Sequence, residues 1–186
     1  ATKKDLVTML KFPVSKIVVT TEGSEAVFRR HSEREKIAVK ERLGLPKKYL
    51  LFVSRWEAYK GLPILLAAHE QLSKKYPDLG LVIVGRPSPQ NPAVAELVKQ
   101  KQAQYPNIIT PGFVGDEDLA AIYSAATVYV HPSLYEGFGI MVLEAFASGV
   151  PVVTNNTSSL PEVIGDAGVL VEPQNLQKLI EAIDRI

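Results

Sequence analysis

The residues best suited to chemistry lie in one short stretch near position 140. Two carboxylates, Glu136 and Glu144, stand eight positions apart on either side of Gly137-Phe138-Gly139, and an apolar helical pattern begins directly afterwards. The neighbours of Glu144 at three and four positions along that helix include no cation. Because an unpaired buried charge is costly, we expect Glu144 either to face water or to accept hydrogen bonds from a ligand. The vicinal hydroxyls of a ribose would suit it.

The glycines between the two carboxylates favour a bound anion. Gly137 and Gly139 remove side chains where the backbone must approach a ligand, and the amides from Gly137 to Ile140 are free at the start of the helix. Glu136 precedes this turn, so it can extend past phosphate groups toward the hydroxyls of an attached sugar. The stretch therefore predicts a nucleotide-sugar site. The competing interpretation makes Glu136 a solvated loop acid, Glu144 a surface residue and the glycines turn residues.

A second group of charges follows the first predicted strand of the sheet. The loop Ser54–Gly61 carries two cations, Arg55 and Lys60. Arginine offers a planar fork and lysine a point charge, so together they could neutralise a diphosphate both when it binds and when it departs. The alternative is that both are solvated loop charges, with Glu57 as an ion partner.

Weaker candidates lie at other strand ends. His131 could contact a substrate or be a packed histidine, and Gly112–Gly115 could support a base on its backbone or be an ordinary turn. The turn Gly85-Arg86-Pro87 could flank a ligand or only precede a helix. His69 lies on the apolar face of a helical pattern without a second ligand-type residue, so we expect it to be a packed histidine.

An alternation of strands and helices must position these residues. From Tyr49 onward, short β-rich apolar runs alternate with amphipathic helical patterns, which is typical of a parallel sheet covered on both faces. The predicted fold class is therefore α/β, with a Rossmann-like parallel sheet. In such a sheet ligands bind beyond the carboxyl ends of the strands, where the loops described above lie. The predicted strands are Tyr49–Val53, Leu81–Val84, Ile108–Ile109, Val128–Val130, Val152–Thr154 and Val169–Val171.

Helical periodicity fills the intervals between these strands. Asp116 is expected to cap its helix, with Glu117 and Asp118 favourable in the first turn. The predicted helices are Leu62–Tyr76, Pro92–Gln104, Asp116–Ala125, Gly139–Ser148, Ser159–Ile164 and Leu176–Ile186.

The first 44 residues have a different pattern. A helical stretch is predicted at Lys3–Leu10 and an extended run at Lys16–Thr20, followed by a charged stretch at His31–Arg42. We interpret residues 1–44 as a connector and residues 45–186 as the domain that contains the sheet.

The composition excludes several classes of function. With 186 residues and 46% apolar content, the chain can bury the core of one compact domain. The 21 Lys and Arg nearly balance the 20 Asp and Glu, which gives no field for holding nucleic acid or an anionic membrane. The chain has no Cys and no apolar run long enough to span a bilayer. We therefore expect no thiolate metal site and no transmembrane segment, and a cytoplasmic location.

An ordered series of motifs resembles the donor-binding half of a known enzyme family. In their order and spacing these motifs resemble the retaining glycosyltransferases of the two-domain GT-B type, specifically family 4 (group 1), which includes many bacterial mannosyl- and glucosyltransferases. The motifs are Ser54-Arg55 with Lys60-Gly61, Val84-Gly85, Pro132–Gly139 through Glu144-Ala145, Ser148–Val153, Pro161–Ile164 and Gly168.

The resemblance implies a reaction and a set of contacts. A mannose- or glucose-type hexose would be transferred from a GDP- or UDP-sugar with retention at the anomeric carbon, without a metal and without a further cofactor. Arg55, Lys60 and Glu136 would act in catalysis, because the phosphate contacts stabilise the departing nucleotide. The chain departs from the family at Ser54, where Gly is frequent, and at Tyr59, where an acid is common. The implied contacts are the diphosphate for Arg55 and Lys60, the donor sugar for Glu136, sugar or phosphate for the amides of Gly137, Phe138, Gly139 and Ile140, the ribose for Glu144, and the base for Val114 and Leu119.

The resemblance also implies parts that the chain lacks. Lys3–Leu6 and Thr20–Gly23 resemble the end of the family's amino-terminal domain and the crossing into the second domain, so the acceptor-binding domain would be missing and the sheet domain truncated at its carboxyl-terminal tail. A glycan, lipid or small-molecule acceptor would bind through that missing domain. The isolated chain would then transfer nothing, and the full-length enzyme could be peripheral to a membrane. Two alternatives stay open: a non-catalytic nucleotide-sugar binding module, and a sugar-nucleotide epimerase of the same fold.

Overall fold

The computed structural model describes residues 2–186, and its centre is a six-stranded sheet in which every neighbouring pair is parallel. The strands are β1 Lys48–Val53, β2 Leu79–Val84, β3 Ile108–Ile109, β4 Val128–His131, β5 Val152–Asn155 and β6 Val169–Val171. Across the sheet their order is β3-β2-β1-β4-β5-β6.

Helices connect the strands. No helix among residues 2–186 is both long and apolar enough to cross a bilayer. Short 3₁₀ turns lie at Val14–Lys16 and Ala58–Lys60. The α-helices are α1 Thr2–Thr8, α2 Glu33–Leu43, α3 Leu62–Lys75, α4 Pro92–Gln104, α5 Asp116–Ala125, α6 Ile140–Ala147, α7 Leu160–Ile164 and α8 Leu176–Asp184.

The core lies on both faces of the sheet. Successive residues of β1 alternate between two clusters, because Leu51 belongs to one cluster while Leu50 and Phe52 belong to the other. Side chains in a strand point to opposite faces in turn, so the two clusters occupy opposite faces. Helices α5 and α6 contribute to the first cluster, and α3, α4 and α8 to the second. The predicted α/β class, with helices on both faces of a parallel sheet, is confirmed.

The order of strands reverses beside β1. The chain runs outward from β1 to β2 and β3, then returns to place β4 on the other side of β1. The loops that leave β1 and β4 therefore lie at the point where the strand order reverses, and in sheets of this type ligands bind at the carboxyl edge beside that point.

Most predicted boundaries agree with the structure to within two residues, but the predicted N-cap of α5 is wrong. Gly115 occupies the N-cap of α5, and Asp116 is its first helical residue. The carboxylate of Asp116 still lies favourably at the positive end of the helix dipole. In the predicted extended run Lys16–Thr20, Lys16 ends a 3₁₀ turn and Ile17 has an extended backbone, but the run forms no strand of the sheet.

Part of the predicted connector packs into the core of the sheet domain. Phe28 and Val39 are buried in the first cluster, and the ring of Phe28 lies edge-on to Tyr123, with 5.8 Å between ring centroids. Arg42 at the end of α2 donates to Asp118 at the start of α5 at 2.9 Å. Packing therefore does not separate the chain at residue 44, and the division into 1–44 and 45–186 stays a prediction about function.

Candidate functional site

The loops after β1 and β4 lie against each other at the carboxyl edge of the sheet. The amide of Leu134 donates to the carbonyl of Tyr59 at 2.8 Å. Gly61 has a φ of +78°, and a Cβ atom there would lie 2.0 Å from the carbonyl oxygen of Pro132. Only glycine fits both this backbone conformation and this close approach. The contact brings the loop with the two cations against the loop that carries Glu136.

Lys60 and Glu136 form a buried ion pair between these loops. Nζ of Lys60 donates to Oε1 of Glu136 at 2.8 Å and to Oε2 at 2.9 Å, and the side chains are only 12% and 8% exposed. The interpretation of both as solvated loop charges is therefore wrong. Since an ammonium group has three donors, one N–H of Lys60 remains for another acceptor. The cation expected at the phosphates and the acid expected at the sugar are thus directly joined.

A buried histidine supports Glu136 on its other side. Nε2 of His131 lies 2.7 Å from Oε1 of Glu136, and Nδ1 lies 2.9 Å from the hydroxyl of Tyr129. Burial by itself raises the pKa of Glu136. The hydrogen bond and charge interaction with His131, together with the hydrogen bond from Lys60, outweigh it and lower the pKa to about 2. His131, which the sequence left open, is therefore packed and bonded to the predicted site acid.

We expect Glu136 to make the stability of the chain depend on pH in the acid range. Its pKa is about 2 in the folded chain against an ordinary value of 4.5. A carboxyl group with a lowered folded-state pKa stabilises the fold above its unfolded pKa, and this stabilisation is lost as the pH falls toward the folded value. Between about pH 6 and about pH 3, the free energy of unfolding should fall by about 2 kcal/mol more in the wild type than in Glu136→Gln. Urea denaturation at both pH values measures this, and an equal fall in the two proteins would contradict it.

The main chain around Glu136 is held by two serines that the sequence analysis missed. The amide of Glu136 donates to Oγ of Ser158 at 2.9 Å. Oγ of Ser159 lies 3.0 Å from the carbonyl oxygen of Glu136 and 2.7 Å from that of Phe138. Both serines follow β5, which is the neighbour of β4 in the sheet. The available signal was a pair of hydroxyl residues at the carboxyl end of a predicted strand.

The start of α6 has free donors, as the sequence predicts. Gly139 precedes the helix at a φ of +107°, and the amide of Val142 donates to the carbonyl of Gly139 at 3.0 Å. The amides of Ile140 and Met141 precede that bond and have no acceptor among residues 2–186. Two donors and the positive end of the helix dipole are therefore available to an anion at this place.

Arg55 lies beside a cleft at the same edge. Its side chain is exposed and forms no ion pair within the described part of the chain. The alternative in which the cations pair with Glu57 is wrong, because Oε2 of Glu57 accepts a hydrogen bond from the side-chain amide of Asn91 instead. The cleft has a volume of about 460 Å³ and joins the cation loop to the start of α6. It is lined by Val53, Ser54, Arg55, Glu57, Tyr59, Lys60 and Met141.

Glu144 has a partner that the sequence did not indicate. Its side chain is half-buried, and the hydroxyl of Tyr123 donates to Oε2 at 3.0 Å. Burial raises the pKa of Glu144, the Tyr123 hydrogen bond lowers it, and the negative charges of Glu25 and Asp116 raise it, with a net rise. The interpretation of Glu144 as a plain surface residue is therefore wrong. The other carboxylate oxygen has no hydrogen bond within residues 2–186.

The residues implied at the base lie at the edge of the first core cluster. Val114 and Leu119 are half-buried and pack against that cluster. Phe113, next to Val114, is 79% exposed, and its ring centroid lies 5.1 Å from the guanidinium carbon of Arg86. This places Val114 after β3 and Leu119 in α5, and their contact with a base stays a prediction.

Two further observations concern His69 and possible metal ligands. His69 is fully buried, and its Nε2 lies 2.9 Å from the carbonyl oxygen of Leu79, so the expectation of a packed histidine is confirmed. Within residues 2–186, no three His, Asp or Glu side chains are grouped so that they could hold a metal ion.

Comparison with known proteins gives consistent matches. A sequence profile of the family described as "Glycosyl transferases group 1" matches residues 33–186. O-antigen chain mannosyltransferase B of Escherichia coli is 32% identical over 182 residues, which are 95% of this chain and 47% of the relative. The crystal structure of the C-terminal domain of a group 1 glycosyltransferase from Francisella tularensis has a TM-score of 0.73 at 28% identity, covering 88% of this chain and 87% of that one. A protein of Anabaena solved with UDP shares the fold, with a TM-score of 0.85 at 22% identity, covering 100% of this chain and 51% of that one.

The matches differ in how much of each relative this chain covers. The chain spans about half the length of the E. coli relative but most of the isolated C-terminal domain from F. tularensis. The family profile covers all six strands of the sheet, both loops that hold Lys60 and Glu136, and helix α6 with Glu144. A match over this much of the chain shows that it belongs to the group 1 glycosyltransferase family.

Proposed function

We propose that this chain is the donor-binding domain of a retaining glycosyltransferase. It binds a GDP- or UDP-sugar and serves the transfer of a mannose- or glucose-type hexose to a glycan, lipid or small-molecule acceptor. The acceptor is held by a separate domain, without which the chain transfers nothing. Family membership favours this over the sugar-nucleotide epimerase that the sequence left open.

The observation that carries the proposal is the position of the Lys60–Glu136 pair beside the start of α6. Lys60 and Met141 line the same cleft, so the free donor of Lys60 and the free amides of the first helical turn serve one ligand. A diphosphate in this cleft would accept from both. Arg55, exposed on the same cleft, adds the second positive charge.

In the proposed complex an acid would lie at each end of the diphosphate. Glu136 touches the phosphate-binding cation, so it is placed to accept a hydroxyl of the sugar attached to the phosphate. Glu144 lies about one turn into α6, where its free oxygen could accept a ribose hydroxyl on the nucleotide side. The two acids thus orient the two sugars of the donor on either side of the bond that breaks.

The chemical step places negative charge on the departing nucleoside diphosphate. The positive charge that meets it comes from Lys60 and Arg55, aided by the amides of α6, and such preorganised contacts lower the barrier most when they face the charge that develops. Similarity to the E. coli relative, which is named a mannosyltransferase, supports mannose as the sugar in this proposal.

Removal of the ribose-side acid should weaken nucleotide binding. We expect Glu144→Ala to reduce the affinity for nucleoside diphosphates at least tenfold, because the ribose hydroxyls lose a charged acceptor. Glu144→Gln, which still accepts from Tyr123, should show a smaller loss and the stability of the wild type. Calorimetric titration with GDP, UDP, GDP-mannose and UDP-glucose measures the affinities and identifies the base.

The test of Glu144 has a control variant at Glu70, a carboxylate outside the cleft. Glu70 on α3 pairs with Lys101, and neither residue lines the cleft, so Glu70→Ala should bind nucleotide as the wild type does. Equal affinity in the wild type and Glu144→Ala would discard the assignment of Glu144. Absence of binding for all four ligands would overturn the proposed function itself.

Joined to an acceptor-binding domain, the chain should support sugar transfer, and the anomeric configuration of the product, read by NMR, tests retention.

A further inference from the structure

His131 occupies a position that the proposed function does not use. It is the last residue of β4, and its imidazole is fully buried. Nε2 lies 2.7 Å from Oε1 of Glu136, Nδ1 lies 2.9 Å from the hydroxyl of Tyr129, and the Tyr129 and His131 rings stack with 5.8 Å between centroids. The carbonyl of His131 accepts from Oγ1 of Thr154 at 2.7 Å. Both ring nitrogens are engaged, so the ring cannot turn without losing two hydrogen bonds.

The partners of the ring decide where its proton lies. An ionised Glu136 can only accept, so Nε2 of His131 must carry a hydrogen and donate it. Burial raises the pKa of Tyr129 well above its usual value, so its hydroxyl keeps its proton. That hydroxyl can donate to an unprotonated Nδ1 or accept from a protonated one. Tyr129 therefore preserves the Nε2–H donor in either charge state of the ring.

The number of hydrogen bonds that Glu136 can accept shows the effect of the Nε2–H donor of His131. A carboxylate has about four acceptor sites, two on each oxygen. Lys60 uses one site on Oε1 and one on Oε2, and His131 uses the second site on Oε1. Among residues 2–186 the fourth site, on Oε2, has no hydrogen bond, so the histidine determines which oxygen stays open to a ligand.

We propose that His131, held by Tyr129, is a positioning residue that keeps Oε1 of Glu136 occupied and presents Oε2 to a hydroxyl of the donor sugar. The inference rests on the proposed function, since it takes the ligand of Glu136 to be that sugar. It goes beyond the proposed function because it assigns the orientation of the Glu136 carboxylate to His131 and Tyr129, two buried residues that are not themselves proposed to contact the ligand.

The charged and titratable groups around His131 are consistent with this role. Nε2 of the imidazole contacts Glu136, which is paired with Lys60, and Nδ1 contacts the hydroxyl of Tyr129. Beyond Tyr129 lies Tyr123, with 5.2 Å between ring centroids, and Tyr123 donates to Glu144. These contacts leave the Tyr129 hydroxyl as the partner that holds Nδ1 of the ring.

The other buried histidine offers a matched control. His69 is also fully buried, but its Nε2 contacts the carbonyl of Leu79 and its Nδ1 has no partner among residues 2–186. It touches no carboxylate, and its neighbours lie in the second core cluster. Replacing it should cost stability without any effect on the ligand of Glu136.

The test measures the affinity of the chain for a nucleoside diphosphate and for the corresponding nucleotide sugar. The ratio of the two affinities isolates the contribution of the sugar. We expect His131→Leu to lower this ratio at least fivefold and Tyr129→Phe at least threefold, while the affinity for the nucleoside diphosphate stays within twofold. His131→Gln keeps an N–H donor for Glu136 and should retain at least half of the ratio. His69→Gln should leave the ratio unchanged.

A spectroscopic measurement on the ligand-free chain supplies an independent readout. Nitrogen-15 shifts of the imidazole, assigned by comparison with His131→Gln, should show Nε2 protonated in the wild type at neutral pH. A ring protonated only at Nδ1 would overturn the inference. Tyr129→Phe removes a single hydroxyl and so should keep the fold. If this variant had the affinity ratio of the wild type, the inference would be overturned. It would also be overturned if Tyr129→Phe lost affinity equally for the nucleoside diphosphate and the nucleotide sugar. A wild-type chain that binds no nucleoside diphosphate would instead refute the proposed function on which the inference rests.

Discussion

Lys60→Ala is expected to weaken binding of a nucleoside diphosphate at least tenfold. In an enzyme that joins this chain to an acceptor-binding domain, it should slow sugar transfer by about 10²- to 10³-fold, as removal of one preorganised charge-stabilising donor does. The variant loses the cation that faces the cleft, and it also leaves Glu136 buried without its lysine, with His131 as its remaining hydrogen-bond partner. Breaking a buried pair on one side should lower the free energy of unfolding by about 3 kcal/mol. Calorimetric titration and urea denaturation measure the two effects separately.

A double variant separates binding from stability in this experiment. Lys60→Met with Glu136→Gln removes both charges, so most of the lost stability should return while nucleotide binding stays weak. Lys101→Ala breaks the Lys101–Glu70 pair, whose atoms are 2.6 Å apart, outside the cleft, and should bind nucleotide normally. Recovery of binding in the double variant would show that Lys60 acts only through the fold.

Gly61→Ala is expected to destabilise the chain by about 4 kcal/mol and to abolish nucleotide binding. The added Cβ would lie 2.0 Å from the carbonyl oxygen of Pro132, which is main chain and cannot move aside cheaply, and the φ of +78° is itself strained for alanine. To relieve the contact, the loops after β1 and β4 must separate. Lys60, the adjacent residue, would then move away from Glu136. Urea denaturation and nucleotide titration report the two losses.

Gly112→Ala distinguishes the close contact from backbone strain. Gly112 has a φ of +80°, nearly the same as Gly61, but a Cβ atom there would meet nothing within 4 Å. Its substitution should cost about 1 kcal/mol, which is the strain alone. If the two alanine variants lost equal stability, the contact between the loops would not exist as described.

The fold could be predicted because its signals are local. The residues from Tyr49 to Val53 form an apolar run in the sequence, and in the structure all of them are buried between two helical layers. Helices α4 and α5 were predicted at both ends, because Pro92 and the acidic start of α5 are strong local start signals. The cap of α5 was assigned to Asp116 instead of Gly115, since two neighbouring residue types both suit a cap and sequence alone does not choose between them.

The location of the candidate site could be predicted, but its internal pairing could not. Parallel strands bring their carboxyl ends to one edge, so Arg55, Lys60 and Glu136 were expected to share that edge. The ion pair of Lys60 with Glu136 joins residues 76 positions apart, and it exists because the two loops touch at Gly61. Nothing in the sequence between them specifies such a contact.

The two carboxylates differ for the same reason. Both are Glu residues in one short stretch, yet the pKa of Glu136 is lowered to about 2 while that of Glu144 is raised. Glu136 meets a lysine and a histidine, whereas Glu144 meets a neutral tyrosine in a partly buried setting. Their partners come from other elements of the fold, which residue type and spacing do not reveal.

The amino-acid sequence by itself determined the parallel α/β architecture, the order of its elements and the edge at which the reactive residue types collect, because apolar periodicity and loop composition are read from neighbouring residues. Only the tertiary structure decided that Lys60 forms an ion pair with Glu136, that His131 contacts the same acid and is itself bonded to Tyr129, and that Tyr123 donates to Glu144. Hydrogen bonds and charge interactions depend on separations of a few ångströms and on burial, and both arise when loops distant in sequence pack together.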